Sequence, residues 1–214
     1  MRGDNAMGRP RGGDKQRKKE HFYQAAKKHG YRSRSAYKLR QIAKDHKLLS
    51  GVDRVVELCC CPGGWTQVLK EIDSSLQIVA VDLEVMIQLE GVKFIQGDIL
   101  DEKIIERIES LTGGTVDLVL SDCSPNVTGQ WDLDVVRQIS LVEGTIEIAH
   151  RLLGNKGKVL SKVFQGPGFH ELLQSVRKKF NSVKLIKPAA SRKTSAEIYL
   201  LAVGPRGRSP HDES

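Results

Sequence analysis

The chain lacks any apolar run long enough to cross a membrane. Its longest runs, such as Ile78 to Val81, fall far short of the ~18 to 20 residues that a spanning helix needs. The amino-terminal segment is basic but has no apolar stretch of the kind found in a secretory signal. These absences predict neither a membrane span nor export.

Cysteine is scarce and is spaced for neither a disulfide framework nor a metal site. Three of the four cysteines are consecutive, at Cys59, Cys60 and Cys61. This pattern has no CxxC metal pair and no regular spacing of the kind that disulfide-rich domains show. We therefore expect small core side chains in a reducing cytoplasm, and we predict no metal site.

The chain has the size and composition of one globular domain, but its charge is uneven. It has 214 residues, of which 39% are hydrophobic and 28% are charged. Residues 1–40 carry 13 Lys/Arg against three Asp/Glu, a balance of +10, whereas the remaining 174 residues balance at −2. Residues 177–193 form a second basic, acid-free stretch. These segments predict a polyanionic partner such as RNA, the alternative being a solubilising tail and a solvated face.

The two ends of the chain differ in composition from its body. Residues 1–20 are rich in Gly, Pro, Arg and Lys with almost nothing apolar, and residues 205–214 are similar. Such segments bury too little apolar surface to offset the entropy of ordering. We expect a flexible basic arm at 1–20, a single domain at 21–204 and a flexible tail at 205–214.

Apolar strands alternate with helical patterns along the body of the chain. Predicted strands cover 54–59, 77–81, 92–95, 116–121, 157–164, 183–186 and 198–203. Predicted helices cover 65–72, 101–111, 134–153 and 168–180, with an earlier one beginning near Ser33 or Ser35 and ending at 48–51. The alternation predicts an α/β fold with a doubly wound, mostly parallel sheet of seven strands and helices on both faces.

Acidic residues stand at or near the ends of the first four predicted strands: Glu57, Asp82, Asp98 and Asp122. In doubly wound sheets ligands bind beyond the carboxyl ends of the strands, so these four carboxyl groups are expected to face one crevice. Each of them alone is also explained by ordinary turn chemistry, because Asp commonly follows a strand.

A glycine turn follows the first predicted strand and opens a helix. Gly63 and Gly64 permit close backbone approach to a ligand, and Asp82 lies 19 residues after Gly63, near the spacing at which an acid binds ribose hydroxyls. The G-x-G-x-x-G fingerprint of dinucleotide sites is absent. The turn therefore favours an adenosyl ligand without phosphate, such as S-adenosylmethionine.

Six short motifs follow one another along the chain: VVELCCCPGGW at 55–65, VDL at 81–83, QGD at 96–98, LSDCSPN at 120–126, KVFQG at 162–166 and SAEIY at 195–199. In this order they resemble the FtsJ/RrmJ-like (RlmE-type) family of large-subunit ribosomal RNA ribose 2′-O-methyltransferases. The resemblance covers about Tyr31 to Gly204 and implies a Rossmann-like methyltransferase fold.

The resemblance assigns a cofactor and a set of residues to hold it. The cofactor is S-adenosylmethionine, with Asp98 on its adenine and Asp122 lining its site. The other residues that it implies for cofactor binding are Glu57, Pro62, Gly63, Gly64, Trp65 and Asp82.

The resemblance also implies a catalytic tetrad of Lys38, Asp122, Lys162 and Glu197, in which Lys162 accepts the 2′-hydroxyl proton. The residues themselves support Lys162, because a lysine in so apolar a strand must reach a cavity or the strand end. Lys38 and Glu197, taken singly, are equally well explained as surface charges.

The cysteines depart from the family pattern, which usually has Gly or Cys and then two Ala where this chain has Cys59, Cys60 and Cys61. A side chain at position 59 could crowd the donor. Cys123 ends another predicted strand, so the sequence allows a cluster of sulfur atoms near the pocket. We expect such a cluster to be mildly sensitive to oxidation.

The partner implied by the resemblance is large-subunit ribosomal RNA, either naked or in the assembled subunit, with a uridine as target. Candidate RNA-binding residues are Arg32, Arg34, Lys187, Arg192 and Lys193. A transfer RNA anticodon-loop methyltransferase, a noncatalytic RNA-binding protein and a nucleotide-linked oxidoreductase are the alternatives. The four tetrad residues argue against the second of these, and the missing dinucleotide fingerprint argues against the third.

Overall fold

The computed structural model describes residues 30–191 and 195–207. The predicted arm at 1–20 lies outside the described residues, as do Arg192 and Lys193 and the tail beyond residue 207.

Seven strands and five helices make up the described part of the chain. The strands are β1 (Arg54–Leu58), β2 (Gln77–Asp82), β3 (Val92–Gln96), β4 (Val116–Ser121), β5 (Leu153–Phe164), β6 (Phe180–Ile186) and β7 (Glu197–Pro205). The helices are α1 (Ala36–Asp45), α2 (Gly64–Ile72), α3 (Glu102–Thr112), α4 (Trp131–Leu152) and α5 (Phe169–Lys179).

The strands form one mixed sheet in the order β3-β2-β1-β4-β5-β7-β6. The first five strands are parallel, and β7 runs antiparallel between β5 and β6. The predicted fold class is confirmed. The order reverses between β1 and β4, and the carboxyl ends of these two strands are therefore where a ligand is expected.

Helices cover both faces of the sheet and explain why its central strands are so apolar. On one face the core contains Leu39 and Ile42 from α1 and Val68 from α2. On the other face it contains Ile108 from α3 and Val142 from α4, with α5 contributing further residues. Because side chains alternate along a strand, neighbouring residues of β1 and β4 enter opposite cores.

Several predicted boundaries were wrong by a few residues. Helix α4 begins at Trp131, three residues before the predicted start at Asp134. The Asp134 carboxylate turns back within the first helical turn and accepts bonds from the N–H and hydroxyl of Thr128 and the N–H of Gly129. The Trp131 ring stacks on Phe164 at 5.9 Å between centroids, which fixes the extra turn of helix.

Three other elements also differ in length from their predicted ranges. Helix α1 ends at Asp45 rather than near 48–51, and β6 begins at Phe180 rather than at residue 183. Strand β5 follows α4 directly at Leu153, which pairs with Val116 before an irregularity in the ladder. This irregular start lacks the apolar run on which the strand prediction depended.

No helix within residues 30–191 and 195–207 is both long enough and apolar enough to cross a bilayer.

Replacing Leu118 by Ala should lower the free energy of unfolding by about 2 to 5 kcal/mol, because this β4 side chain is completely buried. Urea denaturation measures the change. Leu185→Ala is the matched control, since Leu185 is 43% exposed on β6, and its change should be about 0.5 kcal/mol. Equal losses from both variants would contradict the assignment of the core.

Candidate active site

Lys162 and Asp122 form the centre of a polar cluster at the carboxyl edge of the sheet. Lys162 lies near the end of β5 and is 6% exposed. Its Nζ donates to the main-chain oxygen of Asp122 at 2.7 Å and lies 3.3 Å from Asp122 Oδ1. Asp122 directly follows β4, and the pairing of Ser121 with Ser161 sets the two residues side by side.

Lys38 and Glu197 form a second ion pair beside the first. Lys38 Nζ on α1 donates to Glu197 Oε2 at 3.0 Å, at the start of β7. Burial alone would raise the pKa of Glu197, but Lys38, with smaller contributions from Lys162 and the Ser195 hydroxyl, lowers it below its ordinary value. The structure therefore brings all four residues of the predicted tetrad together.

Tyr199 connects the two ion pairs and was not predicted as a site residue. Its hydroxyl donates to Asp122 Oδ1 at 2.8 Å, and Lys38 Nζ lies 5.9 Å from its ring centroid. Burial raises the pKa of Tyr199, and the Asp122 carboxylate raises it further. Tyr199 stands two residues after Glu197 in β7, so the alternation of side chains along a strand could have pointed to it.

Gln138, buried in α4, supports the cluster from beneath. Its Nε2 donates to the main-chain oxygens of Lys162 at 2.9 Å and Cys123 at 3.2 Å. It thereby joins the ends of β4 and β5. The sequence carries no signal for this role, since a glutamine within a long helix is usually a surface residue.

The two glycines of the turn at residues 61–65, which is called the donor loop below, accommodate an earlier segment of the chain. Gly63 has φ +100°, and a Cβ there would lie 2.9 Å from both Arg32 Nη1 and Met86 Sδ. A Cβ on Gly64 would lie 2.1 Å from Ser33 Oγ. The turn thus requires glycine for its backbone conformation and for close packing of residues 32–33.

Trp65 and Pro62 occupy different environments within the same loop. Trp65 is buried, its indole N–H donates to the Ser35 carbonyl at 3.0 Å, and its ring lies 5.8 Å from that of Tyr199. Pro62 is exposed and follows a cis peptide bond with Cys61. Trp65 therefore packs between α1 and β7, and Pro62 is open to solvent.

Asp82 is oriented by backbone N–H groups next to the donor loop. Its Oδ2 accepts from Cys61 N at 2.7 Å and its Oδ1 accepts from Glu84 N at 2.9 Å. Each oxygen retains a lone pair that could accept from a ribose hydroxyl. Asp98 is exposed. It lies close to Asp82, because the N–H of the preceding Gly97 donates to the Asp82 carbonyl. Asp82 and Asp98 thus place two carboxyl groups beside this loop, next to the ion pair of Asp122 with Lys162.

Glu57 lies under the donor loop and within the core. It is 2% exposed, and its Oε2 accepts from the Thr66 hydroxyl of α2 at 2.7 Å. Burial raises its pKa to about 8, with smaller contributions from Asp122 and Asp82. Its contact with the loop is through Thr66, and it is a neutral acid over much of the range below pH 8.

The described candidate RNA-binding residues do not form one group. The Arg32 guanidinium donates to the carbonyls of Ile87 at 2.7 Å and Pro62 at 3.4 Å, so it braces the donor loop. Arg34 is exposed. Lys187 is exposed, and its Nζ donates to the Ser195 carbonyl at 2.8 Å.

Cys59 and Cys123 form a disulfide, whereas the sequence indicated small core side chains and only allowed sulfur atoms to cluster near the pocket. The two residues are 64 positions apart, and only the pairing of β1 with β4 brings them together. Cys60 and Cys61 are free thiols.

Cys60, Cys61 and Asp82 have the spacing of possible metal ligands, which the sequence did not predict. Their ligand atoms all lie within 4.8 Å of one another. Burial raises the pKa of Cys60, and it raises that of Cys61 to about 11. Both thiols hold their protons at neutral pH, so a metal ion would have to displace them.

A cavity of about 220 Å³ lies at the opposite edge of the sheet, between α1, β5, β6 and β7. None of the predicted site residues lines it. The carboxyl-edge rule and the polar cluster both locate the chemistry elsewhere.

Residues 31–205 match the family described as FtsJ-like methyltransferase. The chain belongs to that family. The match begins just before α1 and ends with β7, so it includes every residue of the polar cluster described above.

Three curated relatives, each named Ribosomal RNA large subunit methyltransferase E, are 41 to 47% identical to this chain over the aligned residues. The protein of Methanothrix thermoacetophila is 47% identical over 86% of this chain and 71% of its own length. That of Methanothermobacter thermautotrophicus is 41% identical over 90% and 93%. That of Coxiella burnetii is 43% identical over 86% and 90%.

Solved structures share the fold. A Plasmodium falciparum protein described as a ribosomal RNA methyltransferase has a TM-score of 0.74 at 24% identity, covering 83% of this chain and 100% of its own. The MycE methyltransferase of mycinamycin biosynthesis, solved with Mg, SAH and mycinamycin VI, has a TM-score of 0.54 at 14% identity, covering 81% of this chain and 49% of its own.

Glu57→Gln should remove a pH dependence of stability. Because the pKa of Glu57 is about 8 in the folded protein and near 4.5 when unfolded, the folded state holds the extra proton between these values. The parent should therefore lose stability relative to the variant as pH rises from about 5 to 8, by up to ~1.4 kcal/mol per unit.

Denaturant unfolding across this pH range measures the difference between the two proteins. Glu90→Gln is the control, since Glu90 is exposed and its replacement should leave the parent's pH dependence in place. Parallel pH profiles for the parent and Glu57→Gln would show that the carboxyl group is not buried as described.

Proposed function

We propose that this FtsJ-like protein is an S-adenosylmethionine-dependent RNA ribose 2′-O-methyltransferase that acts on a uridine of large-subunit ribosomal RNA. The relatives named for large-subunit ribosomal RNA support the substrate class. The MycE neighbour solved with SAH supports the donor, since SAH is the demethylated form of S-adenosylmethionine.

The observation that carries the proposal is the position of Lys162 Nζ. This nitrogen lies at the carboxyl edge of the sheet, where the carbonyl and the carboxylate of Asp122 both hold it. The donor loop and Asp82 lie at the same edge. The long side chain of Lys162 lets its nitrogen reach Asp122 at the end of β4 while its backbone stays paired within β5.

The chain's residues divide the work of the reaction. Pro62, Gly63, Gly64, Asp82 and Asp98 would hold S-adenosylmethionine, which supplies an activated methyl group. The Lys162 amine would orient the 2′-hydroxyl and take its proton while the sugar oxygen bonds to the methyl carbon and the carbon–sulfur bond breaks, which would release S-adenosylhomocysteine.

The remaining cluster residues keep Lys162 in place. Asp122 Oδ1 binds both the lysine and the Tyr199 hydroxyl, so neither can rotate without losing a buried bond. The Lys38–Glu197 pair keeps a second cation beside them. Orientation of this kind can supply up to ~7 to 11 kcal/mol of the barrier, so the base itself need not be strong.

RNA recognition follows from the reacting group. Only RNA has a 2′-hydroxyl, and the basic residues Arg34 and Lys187 are on the described surface, with Arg192 and Lys193 in the segment that follows Lys187. We assign the methyltransferase domain to residues 21–205, one residue beyond the end expected from the sequence, because β7 ends at Pro205.

Lys162→Ala should reduce methyl transfer by about 10² to 10⁴-fold while donor binding persists, because it removes the proton acceptor and leaves the donor loop intact. Turnover with labelled donor and calorimetric titration with SAH measure the two effects. Lys156→Ala is the control, an exposed lysine of the same strand whose loss should change neither. Full turnover by a folded Lys162→Ala protein would refute the assignment.

Incubation with methyl-labelled donor and RNA should place label on ribose and leave bases unlabelled. Digestion to nucleosides and chromatography separate the two products. Large-subunit ribosomal RNA, assembled subunits and transfer RNA are offered in parallel, and label is expected in the ribosomal samples. Label on a base would contradict the 2′-O assignment, label mainly in transfer RNA would favour the anticodon-loop alternative, and no label with any RNA would favour a noncatalytic binding protein.

A further inference from the structure

We propose that the Cys59–Cys123 disulfide is a positioning element of the active site, which holds the donor loop and Asp122 in their working arrangement. The proposal rests on the proposed function and adds to it a pair of residues that do not touch the reacting atoms. It makes donor binding and turnover depend on the oxidation state of the protein.

The bond lies where the two central strands stop supporting each other. The ladder between β1 and β4 ends with the pair Leu58 and Ser121. Beyond this pair, the segment after β1 forms the donor loop and the segment after β4 forms the loop before α4. Cys59 and Cys123 lie one and two residues past that last pair, with Cα atoms 5.1 Å apart. The disulfide thus continues covalently a connection that the backbone hydrogen bonds no longer make.

On the β4 side, the bond is next to the group that holds Lys162. Asp122, which immediately precedes Cys123, binds Lys162 through its carbonyl and its carboxylate. The Cys123 carbonyl accepts from Gln138 Nε2, which also donates to the Lys162 carbonyl. A displacement of Cys123 would therefore move Asp122 and strain both contacts with the lysine.

On the β1 side, the bond is next to the donor loop. Cys59 has φ +56°, a left-handed conformation that a residue with a Cβ adopts at a cost. The next residue is held at both ends of its peptide, since Cys60 N donates to Val81 O and Cys60 O accepts from Gly63 N. Release of Cys59 would let this conformation relax and would shift Gly63 and the rest of the donor loop.

The bond can be opened by a dithiol. A dithiol reductant transfers two electrons and two protons to the S–S bond, which gives the thiols of Cys59 and Cys123, and becomes a disulfide itself. Disulfides are rare in reducing compartments except in hyperthermophiles, and those that occur elsewhere are usually redox-responsive.

The test compares the oxidised and the dithiothreitol-reduced protein at one temperature, well below both melting transitions. Thiol labelling after denaturation should count two free cysteines before reduction and four after it. Reduction should raise the SAH dissociation constant about tenfold and lower kcat/KM by about 10- to 100-fold, the range expected for displacements of about 1 Å. Four free thiols in the oxidised sample would overturn the proposal.

Two variants separate the disulfide from general effects of the reductant. The double variant Cys59→Ala/Cys123→Ala should behave like the reduced parent and ignore dithiothreitol. Cys60→Ala, which removes a buried free thiol from the same loop, should respond to the reductant as the parent does. Should the double variant fail to fold, the reduced parent still supplies the comparison.

The readouts distinguish positioning from simple stabilisation. A lower melting temperature on reduction, with SAH affinity and kcat unchanged, would show that the bond only stabilises the fold and would overturn the proposal. Oxidised protein that binds no SAH would overturn the proposed function, and the positioning role with it. Equal SAH affinity in both states, with normal binding and turnover, would remove the positioning role alone.

Discussion

The active site depends on one buried contact, in which Lys162 of β5 binds both the main-chain carbonyl and the carboxylate of Asp122, directly after β4. Lys162 is almost inaccessible to solvent, and an unpaired ammonium in such a place would be strongly destabilising. Asp122 resolves this cost by accepting from the lysine with its carbonyl and pairing with it through its carboxylate. Tyr199 donates to the Asp122 carboxylate and Gln138 donates to the Lys162 carbonyl, so both partners of the ion pair are held in one orientation.

The doubly wound topology makes this contact possible. Parallel β4 and β5 end at the same edge as β1 and β2, so the catalytic pair and the donor loop face one crevice although they are distant in sequence. The antiparallel β7 brings Glu197 and Tyr199 back to that edge from the other side. The disulfide joins the two halves of this arrangement at the point where the order of strands reverses.

Strands and helices were predictable because burial on both faces leaves long apolar runs, and the acidic strand ends marked the working edge. Boundaries failed where tertiary contacts decided them, as when the stacking of Trp131 on Phe164 extended α4. Gln138 carried no sequence signal. For Cys59 and Cys123 the sequence indicated only a possible cluster of sulfur atoms, since the bond itself depends on which strands become neighbours. Arg32 was predicted to bind RNA because it is basic, yet its guanidinium finds backbone carbonyls of the donor loop.

The most direct test is a crystal structure with SAH and a short RNA that contains the target uridine. The account predicts that Lys162 Nζ lies within hydrogen-bond distance of the target 2′-oxygen, about 2.6 to 3.2 Å, and that this oxygen faces the donor sulfur directly, with Nζ outside the line between them. A structure in which this nitrogen is well away from the 2′-oxygen, or in which SAH occupies another part of the protein, would contradict it.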